Sequence, residues 1–228
     1  MSAQDPRNKF KTDNYEKQEQ EVPGIQAKMS PQPDCGEDSY HGHHRLDGFK
    51  ILVTGGDSAI GRAAAIAYAK EGADVAINYL PSEQQDADDV KQIIENVGQK
   101  AILIPGDIRD EQFNYDMVEK AYQQLGGLDN VTLVAGHQLY QDELSEFKTQ
   151  DFAETFETNV YPVFWTVQKA LEYLQPGGSI TTTSSVQGYN PSPILHDYAA
   201  TKAAIISLTK SFSAELGDRK STRLNSSH

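Results

Sequence analysis

From Lys50 onward, the hydrophobic pattern of the chain alternates between short apolar runs and longer segments with helical spacing. The apolar runs, most of which are followed by turn residues, predict five buried strands, at 51–53, 74–79, 101–108, 131–136 and 179–185. The helical spacing predicts helices at 60–72, 83–97, 110–125, 150–174 and 198–216. Pro162 lies inside the fourth helix and should kink it, because proline cannot donate the usual hydrogen bond.

This alternation of strands and helices predicts an α/β fold. Strands separated by helices pair in parallel, and such sheets are covered by helices on both faces. Right-handed crossovers then give a doubly wound, Rossmann-like sheet. We expect a single domain at 49–217, with an extended N-terminal arm at 1–48 and a tail at 218–228.

The first 48 residues differ in composition from the rest. Eleven of the 48 are apolar, against 38% in the whole chain, so this segment cannot form a core of its own. Two interpretations stay open: a disordered tail, or an arm that lies on another surface. Residues that could dock such an arm are Phe10, Tyr15, Val22, Ile25, Met29 and Tyr40.

Charge and cysteine content exclude several classes of function. The net charge of −13 argues against binding nucleic acid or an anionic membrane surface. One cysteine, Cys35, excludes an internal disulfide, and the neighbouring histidines His41, His43 and His44 do not predict a metal site. The first residues do not resemble a secretory signal, and no stretch is long and apolar enough to span a membrane, so we expect a cytoplasmic protein.

A glycine-rich turn, TGGDSAIG at 54–61, joins the first predicted strand to the first helix. Glycines allow close approach of the backbone to a pyrophosphate, and the helix N-terminus favours its negative charge. The alternative is a tight turn with glycine for packing alone. Ala59 stands where a further glycine is usual, and its methyl group reduces the clearance.

The end of the second strand bears on the choice of cofactor. Sites that prefer NAD place a carboxylate there for the ribose 2′-hydroxyl, but this chain has Asn78-Tyr79-Leu80. The sequence therefore leans toward NADP, with NAD kept open and Arg62 as the nearest cation. Asp107, after the third strand, is predicted either at the adenine edge or as a strand-end cap.

The candidate catalytic residues are Ser185, Tyr198 and Lys202. Tyr198 and Lys202 are four residues apart and share one helix face, where an ammonium would favour the phenolate. Such a tyrosine can exchange a proton near neutral pH. Ser185 closes the fifth strand, whose end faces the ligand crevice and where its hydroxyl could bind a carbonyl.

These motifs together resemble the short-chain dehydrogenase/reductase family over about 50–217. The resemblance implies that Tyr198 is the general acid/base, that Lys202 binds the nicotinamide ribose, that Ser185 polarises the carbonyl, and that Asn159 supports a proton relay. The positions that the resemblance assigns to the cofactor are Gly55, Asp57, Ser58, Ile60, Gly61, Asn78, Tyr79, Asp107, Ile108, Ala135, Gly136, Tyr198 and Lys202.

The resemblance implies an enzyme that transfers a hydride between NAD or NADP and a small-molecule alcohol or carbonyl. A non-catalytic dinucleotide-binding stress protein and an inactive truncated fragment are the alternatives. The arm is similar to that of the bacterial general-stress-protein branch, which implies a homo-oligomer, a tetramer.

The chain departs from this family at two places. Leu133 and Val134 replace asparagines that support a strand end. The polar tail STRLNSSH has no periodicity, so the sequence predicts a C-terminally incomplete domain, with the fifth strand exposed at the sheet edge and the chain poorly soluble and inactive.

Overall fold

The computed structural model describes Asp5, residues 17–217 and the backbone of 222–227. The strands are β1 (Lys50–Thr54), β2 (Asp74–Tyr79), β3 (Ala101–Pro105), β4 (Asn130–Leu133), β5 (Gly178–Thr183) and β6 (Thr222–Ser227). The α-helices are α1 (Ala59–Lys70), α2 (Gln84–Asn96), α3 (Glu111–Leu125), α4 (Thr149–Asn159), α5 (Tyr161–Ala170) and α6 (His196–Gly217).

The described strands form one sheet in the order β3-β2-β1-β4-β5-β6, and every pairing is parallel. The order reverses between β1 and β4, where Leu52 pairs with Ala76 on one side and Val131 on the other. The predicted doubly wound, Rossmann-like fold is therefore confirmed. Such a reversal opens a crevice at the carboxyl ends of the strands, which is where these sheets bind ligands.

Alternating side chains of the strands divide the core between the two faces of the sheet. Leu52 packs into a cluster with Met117 and Val167 of α3 and α5, whereas Val53 packs with Val90 of α2. This period-two division follows from the opposite directions of successive side chains in a strand. None of the helices in the described part of the chain is long and apolar enough to cross a membrane.

The expected kink in the long fourth helix is confirmed as a break. Helix α4 ends at Asn159 and α5 begins at Tyr161, with Pro162 in the first turn of the new helix. A proline is tolerated in a first turn because the N–H group that it lacks has no partner there. The break places Asn159 at the end of a helix, beside the crevice.

The predicted open edge beside β5 is wrong. The backbone of Thr222–Ser227 forms a parallel strand whose residues pair from Gly178↔Thr222 to Thr183↔Ser227. The sequence of this strand is polar and has no periodicity, so the hydrophobic pattern does not predict it. An edge strand can form without an apolar face because it is stabilised mainly by backbone hydrogen bonds.

The described part of the arm lies on α1 and α2 of its own domain. Lys70 donates to the carbonyls of Gly36 at 2.8 Å and Tyr40 at 2.9 Å, and the Arg45 guanidinium meets the buried Glu71 carboxylate at 2.6 Å. Of the two interpretations, the arm on a surface holds for 17–48. The contact is largely polar: Val22 stays 73% exposed, while Phe10 and Tyr15 lie outside the described residues.

Candidate active site

A cleft of ≈ 460 Å³ lies at the carboxyl ends of the strands. It collects the sequence-predicted cofactor positions, apart from Tyr198 and Lys202: Gly55, Asp57, Ser58, Ile60, Gly61, Asn78, Tyr79, Asp107, Ile108, Ala135 and Gly136. Sequence reasoning missed other residues that line it: Val22, Pro23, Leu80, Glu83, Arg109, His137, Glu154 and Thr158.

The glycine-rich turn brings the start of α1 against the end of β1. Gly55 has φ +62°, and a Cβ on Gly61 would lie 1.8 Å from the Gly55 carbonyl oxygen, so the turn needs glycine at both positions. Ala59 has φ +45°, a left-handed conformation that costs a residue with a Cβ roughly 1–2 kcal/mol. Its departure from glycine therefore strains the backbone.

Thr54 supports the end of β4, where Leu133 and Val134 stand in place of the asparagines that support a strand end in the family. Its Oγ1 accepts hydrogen bonds from the backbone N–H of Val134 at 3.1 Å and of Ala135 at 3.3 Å. These bonds continue the β1–β4 pairing beyond the last residues of the two strands. They hold the Ala135-Gly136 segment across the cleft from the glycine turn.

The side chains at the end of β2 have partners within the protein. Asn78 is buried and donates to the carbonyls of Ile104 at 3.2 Å and Gly106 at 3.1 Å, while the Tyr79 hydroxyl donates to Gln84 at 2.7 Å. Asn78 thus braces β2 against the chain after β3.

Two carboxylates line the cleft near this strand end. Asp57 is 1% exposed, and its Oδ2 has no hydrogen-bond partner among the described residues. Glu83 accepts from the Leu80 N–H at 3.1 Å, and burial together with the charges of Asp57 and Asp86 raises the pKa of Glu83 to about 7. Burial also raises the pKa of Asp57, followed by the charge of Asp86. This end of the cleft is therefore lined by two buried carboxyl groups whose pKa values lie above their ordinary range.

Asp107 pairs with a guanidinium. Arg109 contacts the Asp107 carboxylate at 2.6 Å and Glu154 at 2.7 Å. Burial acts to raise the pKa of Asp107, but the hydrogen bonds from Arg109 outweigh it and the pKa lies below its ordinary value. Asp107 is thus an ionised, paired group at the cleft wall.

Lys202 is buried beside Tyr198. Its Nζ lies 5.3 Å from the centroid of the Tyr198 ring and donates to the Thr183 carbonyl at 3.0 Å. Burial lowers the pKa of Lys202 to about 8. A Cβ on Gly136 would lie 3.6 Å from this Nζ, so the ammonium sits immediately behind the cleft wall.

Ser185 and Asn159 are the other two residues of the predicted constellation. Ser185 precedes a 3₁₀ turn at Val186–Gly188, and its Oγ accepts from the Gln187 N–H at 3.2 Å. Asn159 is buried and holds His137 by both backbone groups, accepting from its N–H at 2.6 Å and donating to its carbonyl at 2.8 Å.

A further bond ties Asn159 to α6. Its amide donates to Thr201 Oγ1 at 3.0 Å, and Thr201 donates in turn to the Tyr198 carbonyl at 2.7 Å. Asn159 therefore connects the β4 end to the turn of α6 that carries Tyr198.

These residues fit a dinucleotide. A Cβ would fill the space that Gly61 leaves against the turn, and the first residues of α1 line the cleft. A helix N-terminus next to a glycine-rich turn suits a pyrophosphate. The far end of the cleft, at Gly136, adjoins the Tyr198–Lys202 pair.

Comparison with known proteins identifies relatives along most of the chain. An uncharacterised oxidoreductase of Bacillus subtilis, YhxD, is 55% identical over 221 residues, covering 97% of this chain and 74% of the relative. General stress protein 39 of B. subtilis is 42% identical over 194 residues, covering 85% and 68%.

Two solved structures that this chain resembles are dehydrogenases. A short chain dehydrogenase from Burkholderia cenocepacia in complex with NADP is 35% identical with a TM-score of 0.75, over 81% of this chain and 74% of that one. Carveol dehydrogenase from Mycobacterium avium in complex with NAD is 25% identical with a TM-score of 0.73, over 80% and 70%. The model of the short chain dehydrogenase family matches residues 50–226. The chain therefore belongs to the short-chain dehydrogenase family of oxidoreductases.

Proposed function

We propose that the protein interconverts an alcohol and a carbonyl compound with NAD or NADP, and that Tyr198 is the general acid/base. The observation that carries this proposal is the buried Lys202 ammonium 5.3 Å from the Tyr198 ring, directly behind Gly136 of the dinucleotide cleft. A tyrosine next to a buried cation at the end of such a cleft is suited to proton exchange.

Each residue has one task in this mechanism. When bound, the nicotinamide ring of the cofactor supplies or accepts the hydride. Tyr198 donates its hydroxyl proton to the carbonyl oxygen during reduction and takes it back during oxidation. Lys202 stabilises the phenolate, and its bond to the Thr183 carbonyl fixes its position.

Ser185 and Asn159 orient the reacting groups. The Ser185 hydroxyl donates to the substrate carbonyl while its oxygen is held by the Gln187 N–H. Through its bonds to His137 and Thr201, Asn159 fixes the position of the His137 backbone relative to the helical turn that carries Tyr198. Such positioning lowers the barrier because the reacting groups are held in place beforehand.

The described charges favour NAD over NADP, against the preference inferred from the end of β2. Asp57 and Glu83 line the cleft beside Asn78 and Tyr79, where a 2′-phosphate would meet two carboxyl groups. Among the described residues lining the cleft, Arg109 is the one with a positive charge, and Asp107 and Glu154 already pair with it. A ribose 2′-hydroxyl carries no charge and would meet no such repulsion.

The partners proposed are a small alcohol or carbonyl substrate and further copies of the chain. Exposed aromatic rings on α5, Tyr161 and Phe164, support a homo-oligomer, and the family resemblance suggests a tetramer. We place the reaction in the cytoplasm, where the NAD(H) and NADP(H) pools are available.

The substitution Tyr198→Phe tests the acid/base role. With NADH and a panel of aliphatic and aromatic aldehydes, we expect turnover to fall about 10²–10⁴-fold, the usual loss of a general acid. Cofactor affinity, measured by calorimetric titration, should stay within about twofold, since the phenol does not form the glycine turn. Tyr122→Phe, on the far helix α3, is the matched control and should retain full activity.

Two results would contradict the proposal in different ways. If Tyr198→Phe keeps more than about a tenth of the turnover, another group is the acid. If the unaltered protein binds the dinucleotide but reduces none of the substrates, a non-catalytic dinucleotide-binding stress protein is the better description.

A further inference from the structure

We propose that the N-terminal arm is a working part of the dinucleotide site, and that Gln26 is a positioning residue for the glycine-rich turn. The inference rests on the proposed function, because it assigns to the arm an effect on cofactor binding. It goes beyond that function, because Gln26 lies outside the family match, which begins at residue 50.

Gln26 holds the turn at its most strained residue. Its side-chain Oε1 accepts a hydrogen bond from the Ala59 N–H at 2.6 Å, and its side chain is buried. Ala59 is the residue with φ +45°, where a side chain costs energy. A short bond at that N–H stabilises the strained peptide in the orientation that opens the following residues to the cleft.

Cys35 holds the other side of the same residue. Its thiol donates to the Ala59 carbonyl at 3.8 Å and lies 3.5 Å from the Gln26 amide nitrogen. Burial raises the pKa of the Cys35 thiol, which keeps it protonated and able to donate. Both backbone polar groups of Ala59 are therefore bound by the arm.

The arm is fixed in turn by a buried carboxylate on α2. Asp86, which is 0% exposed, accepts from the Gln26 N–H at 2.6 Å and from the Ala27 N–H at 3.0 Å. The glycine turn, the arm and α2 therefore share one chain of hydrogen bonds. Removing a link from such a network moves its neighbours.

The arm also forms part of the cleft wall. Val22 and Pro23 line the cleft beside the residues of the glycine turn, four and three positions before Gln26. Displacing the arm would therefore both release Ala59 and remove this wall. It follows that cofactor binding and arm docking are linked, and linkage is reciprocal: a cofactor that binds better to the docked state stabilises that state equally.

The test measures dissociation constants for NADH and NADPH in four variants. Gln26→Leu keeps the size of the side chain but loses the acceptor, and we expect it to weaken cofactor binding about five- to tenfold, the effect of one hydrogen bond. Gln32→Leu is the matched control, because Gln32 bonds within the arm to Ala27 and Met29 and does not contact the turn.

A double variant separates positioning from general loss of stability. Ala59→Gly removes the strain, so the turn no longer depends on Gln26, and adding Gln26→Leu to Ala59→Gly should weaken binding by less than about twofold. A role in stability alone would give the same loss in both backgrounds.

Trypsin cleavage after the exposed Lys28 gives a readout independent of affinity. Saturating cofactor should slow this cleavage in the unaltered protein and have little effect on it in Gln26→Leu. Equal dissociation constants for the unaltered protein and Gln26→Leu would overturn the inference while leaving the proposed function intact. If neither the unaltered protein nor any of the variants bound a dinucleotide, the proposed function would be overturned instead.

Discussion

Lys202 is a buried charge that acts against the stability of the fold. It is 4% exposed, and the interaction that moves its pKa to about 8 is burial. A charged group removed from water without a carboxylate to offset the loss destabilises the folded state. The same desolvation strengthens its field at Tyr198, because charges interact more strongly where water is excluded.

We therefore expect Lys202→Met to be inactive but more stable at pH 7. Between pH 8 and 10.5 the unfolded chain binds more protons at this lysine than the folded one, so the unaltered protein gains stability as pH rises. The charged lysine costs up to about 3 kcal/mol below pH 8, of which about 1 kcal/mol is offset by its bond to Thr183.

Urea denaturation at pH 7 and pH 10 checks this prediction. The advantage of Lys202→Met should be about 2 kcal/mol at pH 7 and should shrink toward pH 10. Lys210→Met, an exposed lysine on the same helix, corrects for other groups that titrate in this range. If Lys202→Met had a lower free energy of unfolding than the unaltered protein at pH 7, burial of the Lys202 charge would not destabilise the fold.

The carboxylates of the cleft give a prediction about cofactor choice. Replacing Glu83 by Gln or Asp57 by Asn should improve NADPH binding about tenfold while changing NADH binding less, since removal of a like charge favours a 2′-phosphate. Titration of both cofactors at low and high salt measures this, and the gain should fall as salt rises. As a control, Asp116→Asn removes an equal charge from the exposed face of α3. The same gain in NADPH binding in this variant would show that the effect comes from the net charge of the protein and not from the cleft.

Among the elements, β6 has the least sequence signal and covers the edge of the sheet beside β5. Replacing 222–227 by an equally long glycine-serine segment should lower the melting temperature and promote aggregation, because the edge of β5 becomes free to pair with other chains. Thermal unfolding with light scattering measures both quantities. Unchanged melting and scattering would mean that β6 contributes nothing to stability.

The elements that the sequence predicted well are those with a buried face. The predicted second strand, 74–79, matches β2 residue for residue, and the break near Pro162 follows from proline chemistry. Strand ends were predicted too far: 101–108 and 131–136 end in the structure at Pro105 and Leu133. The residues beyond these ends, 106–108 and 134–136, line the cleft, and the apolar ones among them, Ile108, Val134 and Ala135, extend the hydrophobic run past the end of each strand.

The residues of the candidate site also fall into two groups, those that the sequence predicts and those that it does not. Residues with a local signature, such as the glycine turn and the Tyr198–Lys202 spacing, were identified from sequence. Gln26 and Glu83 were not, because their roles depend on contacts with residues far along the chain or on charges gathered by folding. A polar residue in a polar segment carries no periodic signal.

For the whole molecule, exposed rings on α5 predict how copies associate. Tyr161 and Phe164 are each 46% exposed, a costly arrangement for aromatic side chains on one helix. The double substitution Tyr161→Ser and Phe164→Ser should reduce the mass measured by light scattering, whereas Val97→Ser, on an exposed apolar residue after α2, should not. An unaltered mass in the double variant would place the subunit contact elsewhere.

The position of the arm's partners along the chain has a consequence for synthesis. The side-chain hydrogen bonds and ion pairs that tie residues 17–48 of the arm to the domain reach residues before position 90: Ala59, Arg62, Lys70, Glu71 and Asp86. The three strands β1, β2 and β3 follow one another and are complete by Pro105. At ribosomal rates, the 93 residues from Gly106 to Tyr198 take roughly 5 to 19 seconds to add. The nascent chain thus has time to pair β1, β2 and β3 and to dock the arm before Ser185 and Tyr198 have been translated.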